Sequence, residues 1–255
     1  EAGSNVLISA YGGEYCDTHT LTTTDVTAAA GFNNGTTNPE DYIGKSHYTR
    51  CLNGSSGAAP QIAGVVALML EVNPALTWRD VRMILAQTAR QNDPTHPDWR
   101  ANAGGLLFNP QYGFGVADAW AAVTAAQNWV SIAPQKVASY AMSSAMPITL
   151  SQTGIEKLEF VEITLTSQHA SVGDLHITLT SPSGTVSTLA VPHTCASPDT
   201  LVIVGCGSGL ITGFRFGIAQ LIGERADGVW RLAVQDTKKN SPADVLGWSI
   251  RAMGF

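Results

Sequence analysis

Asn53-Gly54-Ser55-Ser56-Gly57-Ala58-Ala59-Pro60 runs directly into Gln61-Ile62-Ala63-Gly64-Val65-Val66-Ala67-Leu68-Met69-Leu70. A serine flanked by residues too small to shield it, at the first turn of an apolar helix, presents its hydroxyl in a cleft. Peptide N–H groups in a first helical turn lack intrahelical acceptors, so they can stabilise a developing oxyanion. The stretch has the character of a nucleophile site centred on Ser56. Taken alone, Gly54-Ser55-Ser56-Gly57 equally suits a flexible loop before a core helix.

The surrounding residues separate these readings. Gly54-Ser55-Ser56-Gly57-Ala58 breaks the Gly-x-Ser-x-Gly spacing of an α/β-hydrolase elbow, and no Ser-x-x-Lys follows Ser56 as in a β-lactamase. Val72-Asn73-Pro74-Ala75-Leu76 ends the apolar helix. Thr77-Trp78-Arg79-Asp80 then places a hydroxyl N-cap three residues before a carboxylate, opening Val81-Arg82-Met83-Ile84-Leu85-Ala86. The pattern predicts three helices: residues 57–71, apolar all round and hence central; residues 78–89, amphipathic; and residues 116–128, rich in alanine. Val6-Leu7-Ile8-Ser9-Ala10-Tyr11 reads as a buried strand turned by Gly12-Gly13.

Beyond Ala133 the periodicity changes from helical to alternating. Residues 158–165, 174–180, 187–191, 228–234 and 247–253 read as strands, with a turn at Ser181-Pro182-Ser183-Gly184. Short strands with turn punctuation and no helix predict a β-sandwich.

The order of these motifs resembles the kexin/furin branch of the subtilisin-like serine proteases. Gly54-Ser55-Ser56-Gly57-Ala58-Ala59-Pro60 is similar to Gly-Thr-Ser-x-Ala-x-Pro, with Ser55 in place of Thr and Ser56 on the nucleophile. Tyr112-Gly113-Phe114-Gly115-Val116-Ala117-Asp118-Ala119 and Val130-Ser131-Ile132-Ala133-Pro134-Gln135 continue the resemblance. Gly173-Asp174-Leu175 through Gly184-Thr185, followed by Gly228-Val229-Trp230-Arg231-Leu232, is similar to the jelly-roll P domain that follows the catalytic domain in this branch. The expected fold is therefore the α/β C-terminal part of a subtilisin-like catalytic domain over residues 1–133 and an all-β jelly-roll P domain over residues 134–255. Residues 28–45 and 48–53 are insertions against the family pattern, flanking the rim of the site.

In this family the catalytic Asp and His precede the serine. His19 and His47 stand too near Ser56 in the chain to match that pattern, and neither is taken as the base. The resemblance implies a base, its orienting Asp, the side-chain amide of the oxyanion hole and most substrate pockets upstream of Glu1. The chain alone is expected to be inactive. Glu1-Ala2-Gly3-Ser4 resembles a Glu-Ala-Cys-Ser stretch whose glutamate binds calcium in the family, which makes Glu1 a candidate calcium ligand. One carboxylate cannot supply the six to eight oxygens calcium takes, so the other ligands are expected upstream. Implied partners are a peptide or protein substrate, cleaved after basic residues, the N-terminal part of the catalytic domain, and a propeptide or chaperone.

Cys16 and Cys51 fall in the first expected domain, and Cys195 and Cys206 in the second, none with Cys-x-x-Cys spacing. Two intradomain disulfides in a secreted protein are expected, against the alternative of four buried thiols. The 255 residues carry 44% hydrophobic and 13% charged side chains with a net charge of −6, which offers no basic stripe for nucleic acid. The longest apolar run, residues 62–70, falls short of the roughly 20 residues that span a bilayer, so no membrane anchor is expected. The rival reading, from a different class, is a non-catalytic stabilising or interaction module in which the serine motif is a relic.

Overall fold

The computed structural model describes residues 2–16, 18–27, 30–34, 40–41, 47–144, 146–169, 171–196, 203–204, 206, 209–238, 241–242 and 244–255. In chain order the first part holds β1 (Leu21–Thr24), β2 (Tyr48–Leu52), α1 (Ser55–Val72), α2 (Trp78–Thr88), β3 (Arg100–Ala101), β4 (Leu107–Phe108) and α3 (Ala119–Gln127). The second part holds β5 (Lys136–Ser143), β6 (Ile148–Leu150), β7 (Leu158–His169), β8 (Leu175–Thr180), β9 (Val186–Ala190), β10 (Cys195–Ala196), β11 (Ile203–Val204), β12 (Gly209–Ile218), β13 (Gly228–Asp236), β14 (Ser241–Pro242) and β15 (Asp244–Gly254).

The second part is an antiparallel sandwich. One sheet runs β12-β7-β15-β5; the other runs β14-β13-β8-β9, with β6 beside β13. Alternation along the strands turns Val161, Ile163 and Leu165 of β7 inward, with Ile177 and Leu179 of β8 and Trp230, Leu232 and Val234 of β13. These side chains and Trp248 form one continuous core. Full burial of each contributes about 1.5–3 kcal/mol. The predicted turn is present: Ser181 N–H donates to the Thr185 carbonyl at 2.9 Å, and Gly184 takes a φ of +90°. β5 and β12 are the two long strands that the alternation did not reveal. Six of the eight β5 residues are exposed, with Ala138 and Ser143 half-buried, so no inward face registers in the pattern.

The helices match the predicted spans within three residues, and Thr77 and Asp80 form the expected capping box at the start of α2. Buried Val81, Met83, Ile84, Leu85 and Ala86 give α2 its core face. Two expectations are corrected. First, α1 is not enclosed: only Gly57 and Met69 are buried along it, and Leu68, Leu70 and Val72 are 48%, 38% and 39% exposed. α3 covers one flank, and no described strand covers the others; the sheets of this part are two-stranded. Second, residues 6–10 are half-buried and Tyr11 is exposed, and the segment makes no regular strand. A parallel bridge between Ser9 and Val116 and bonds to the carbonyls of Gly115 and Leu7 are their pairing with residues 114–117.

A dense polar seam joins the parts. Arg79 of α2 forks onto Glu159 of β7, with Nε donating to Oε2 at 2.8 Å and Nη2 to Oε1, both side chains being largely buried. The Arg82 guanidinium lies 5.3 Å from the Phe160 ring centre. Asn102 donates to the carbonyls of Gln220 and Ile222 at 2.7 and 2.9 Å, and Ala103 N–H donates to the buried Glu224. Asp80 anchors the connection into the sandwich by accepting from Trp129 Nε1 and the Ile132 N–H, each at 2.9 Å. Burial opposes its ionisation, yet the Thr77 hydroxyl and the Ile132, Thr77 and Trp129 donors outweigh this and hold the carboxyl well below the usual range.

Candidate active site

Ser56 reaches its position through β2. This strand pairs antiparallel with β1, Thr23 opposite Thr49 and Thr24 opposite Tyr48, and runs through Asn53-Gly54 straight into α1. The Cys16–Cys51 disulfide ties the end of β2 to the preceding loop. Gly54 turns the chain with φ +75° and ψ −164°, a conformation that only glycine adopts without strain. A Cβ there would meet nothing, so the requirement is conformational rather than steric. At Gly57 it is steric: a Cβ would come within 2.6 Å of the Leu21 side chain.

The first turn of α1 is open. Gly57 and Ala58 N–H both donate to the Gly54 carbonyl, at 3.0 and 3.2 Å, while the Ser55 and Ser56 N–H groups find no acceptor among the described residues. No side chain caps this end and no acidic residue sits in its first turn, so the positive end of the helix dipole is uncompensated. Pro60 has no N–H to offer the Ser56 carbonyl, which loosens this turn further. Ser56 itself is exposed and lines a cavity of about 400 Å³ with Asp25, Phe32 and Leu52. Ser56 therefore lines a solvent-open groove at the start of α1.

No described imidazole bonds to Ser56. His19 is exposed, its Nδ1 3.0 Å from the Thr18 hydroxyl and 3.4 Å from Glu14 Oε2. His47 contributes a backbone carbonyl to the Asp25 N–H at 2.8 Å. Elsewhere, His96 lies between the Asn109 and Gln111 amides, and His169 pairs with buried Asp236 at 3.1 Å. Cys195 and Cys206 are bonded to each other in the sandwich.

Glu1 lies outside the described residues. Among the described residues, the grouping of His, Cys, Asp or Glu side chains close enough to share a metal is His193, Cys195 and Cys206. Nitrogen and sulfur donors do not suit calcium, which takes oxygen, and both cysteines are committed to the disulfide. Among the described residues, no three carboxylates stand close enough to share an ion. Tyr15, Asp25, Phe32 and Leu52, which share the Ser56 cavity, were not among the expected site residues. Their signal was topological: Asp25 ends the strand that pairs with the strand feeding α1.

A subtilase family model matches residues 2–115, and a proprotein convertase P-domain model matches residues 158–252. Mouse proprotein convertase subtilisin/kexin type 7 is 35% identical over 202 residues, covering 72% of this chain and 25% of its own length. The chain belongs to the subtilisin/kexin proprotein convertase family. Rat proprotein convertase subtilisin/kexin type 5 is 32% identical over 253 residues, covering 89% of the chain and 14% of its own length. The chain thus spans a quarter or less of these relatives. The Aeromonas sobria serine protease has the same fold, with a TM-score of 0.78 at 23% identity over all of this chain and 55% of that one; it has also been solved with the chaperone ORF2, with a TM-score of 0.77. Membership also bears on α1, whose full 18 residues are long and apolar enough to cross a membrane, unlike the uninterrupted run 62–70. The subtilase match assigns that helix to a protease catalytic domain.

Proposed function

We propose that this chain supplies the nucleophile, Ser56, and the P domain of a secreted serine endopeptidase, divided near residues 133 and 134. The carrying observation is an exposed Ser56 on the first turn of α1, its N–H without an acceptor among the described residues, lining a cavity. Ser56 Oγ attacks the carbonyl carbon of a peptide bond while its proton passes to a histidine supplied from upstream of this chain. The tetrahedral oxyanion faces the Ser56 N–H. The C–N bond then breaks, the amine leaves with the histidine's proton, and water hydrolyses the ester on Ser56.

The chain alone lacks a base and is inactive in this proposal. Cleavage after basic residues rests on family membership, as does calcium, whose ligands we place upstream and through which no step is derived. Two disulfides support export. A propeptide or chaperone partner is supported by the protease of the same fold solved with its chaperone. The test is peptide hydrolysis by the complete protein and its Ser56→Ala variant. A loss of kcat by about a millionfold is expected; unchanged hydrolysis would overturn the assignment.

A further inference from the structure

The cavity beside Ser56 is lined by residues of β1 and β2 and by Tyr15, Asp25 and Phe32 from the loops around them. The Tyr15 and Phe32 rings meet edge to face, centroids 6.3 Å apart at 85°, and both are about half exposed at 48% and 50%. Large aromatic rings half exposed at a concave space give it an apolar wall. Leu52 lines the same cavity, and its neighbour Cys51 is bonded to Cys16, the residue next to Tyr15.

The wall is held rigidly. Asp25 accepts the Val26 N–H at 2.8 Å and the Asn33 N–H at 2.7 Å, and Asn33 Nδ2 donates to the Tyr48 carbonyl at 2.8 Å. The loop carrying Phe32 is thereby stapled to β2. Gly31 is needed for this wrap, since a Cβ would come within 2.3 Å of the Val26 carbonyl and 2.7 Å of Asp25 Oδ2. N–H groups of Asn33, Phe32 and Val26 keep the Asp25 carboxyl below its ordinary range. Its charge is spent on the loop, which makes it a positioning group.

We propose that this cavity is a specificity subsite that takes one bulky apolar or aromatic side chain from a substrate residue flanking the scissile bond, with Phe32 as its selecting wall. Ser56 lines the same cavity, and Cα atoms adjacent along a substrate lie about 3.8 Å apart, so a flanking side chain reaches it. A space of about 400 Å³ accommodates the largest natural side chain. The assignment rests on Ser56 being the nucleophile.

The test uses the complete protein and peptide mixtures varied at each position flanking the cleaved bond. Fluorophosphonate labelling of Ser56 in the unsubstituted protein is read first, and its absence refutes the nucleophile rather than the subsite. With labelling present, kcat/KM is expected to favour Phe or Leu over Ala by about 10- to 100-fold at one flanking position. Phe32→Ala should cut that ratio about tenfold at that position alone. Phe32→Leu, which keeps the wall apolar, should hold the ratio within about threefold. An unchanged ratio in Phe32→Ala, equal losses in both variants, or a preference there for Lys and Arg that Asp25→Asn removes would overturn the subsite.

Discussion

In the β-sandwich, Trp230 and Trp248 are fully enclosed and the long strands turn alternate side chains into one core. In the helical part, α1 has no charged residue before Glu71, yet it buries only Gly57 and Met69. The same physical chemistry gives both results. A sheet whose two faces have partners in the chain closes by itself, whereas a helix apolar on every side needs neighbours all round, and this chain supplies α3 on one flank. The sandwich closes on its own core, whereas α1 stays largely open; the Arg79–Glu159 and Asn102 contacts tie α2 and the loop after β3, not α1 itself, to the sandwich.

The largest effect expected from this contrast is at Trp230. Trp230→Ala leaves a cavity in a closed core and should cost about 3–5 kcal/mol in equilibrium denaturation. If it costs under about 1 kcal/mol, the sandwich is not the anchor. Opening the Cys16–Cys51 bond by Cys16→Ser should destabilise the helical part by about 3 kcal/mol through the loop it closes, read as a lower first midpoint in a biphasic unfolding curve. A single unshifted transition would show that the two parts do not differ.

Asp80 comes next. Asp80→Asn weakens four charge-assisted contacts and should cost about 1–3 kcal/mol. The folded carboxyl titrates lower than the unfolded one, so its contribution is fully present above an unfolded aspartate's pKa of about 3.9 and is lost as pH falls from there towards its depressed value. The difference between wild type and Asp80→Asn in denaturation midpoint should therefore shrink below about pH 4. A difference that grows there would contradict the assignment. The smallest effect is Leu68→Ala, about 0.5 kcal/mol or less in this chain because the side chain is half exposed, but about 2–5 kcal/mol wherever neighbours enclose α1.

Periodicity and caps made most of this architecture legible in the residues. The Thr77/Asp80 box, the three helices and the inward alternation of β7, β8 and β13 are local signals, and each element formed where its pattern lay. The enclosure of α1 was not legible, because an apolar helix reports the surroundings it needs and not whether the chain in hand provides them. That Ser56 stands at a helix start among small residues was legible in the sequence. Phe32 and Asp25 were not: residues 28–45 carry no period, and the cavity arises from β1 pairing with β2 and a loop curling round one carboxylate. β5 stayed hidden for a related reason, since a strand exposed along most of its length shows no alternation.

Fluorophosphonate labelling followed by peptide mass mapping, carried out in parallel on this 255-residue chain and on the complete protein, tests the central claim most directly. Stoichiometric adduct on Ser56 is expected in the complete protein and none on the chain alone. Rapid labelling of Ser56 in the isolated chain, or adduct on a different serine in the complete protein, would contradict it.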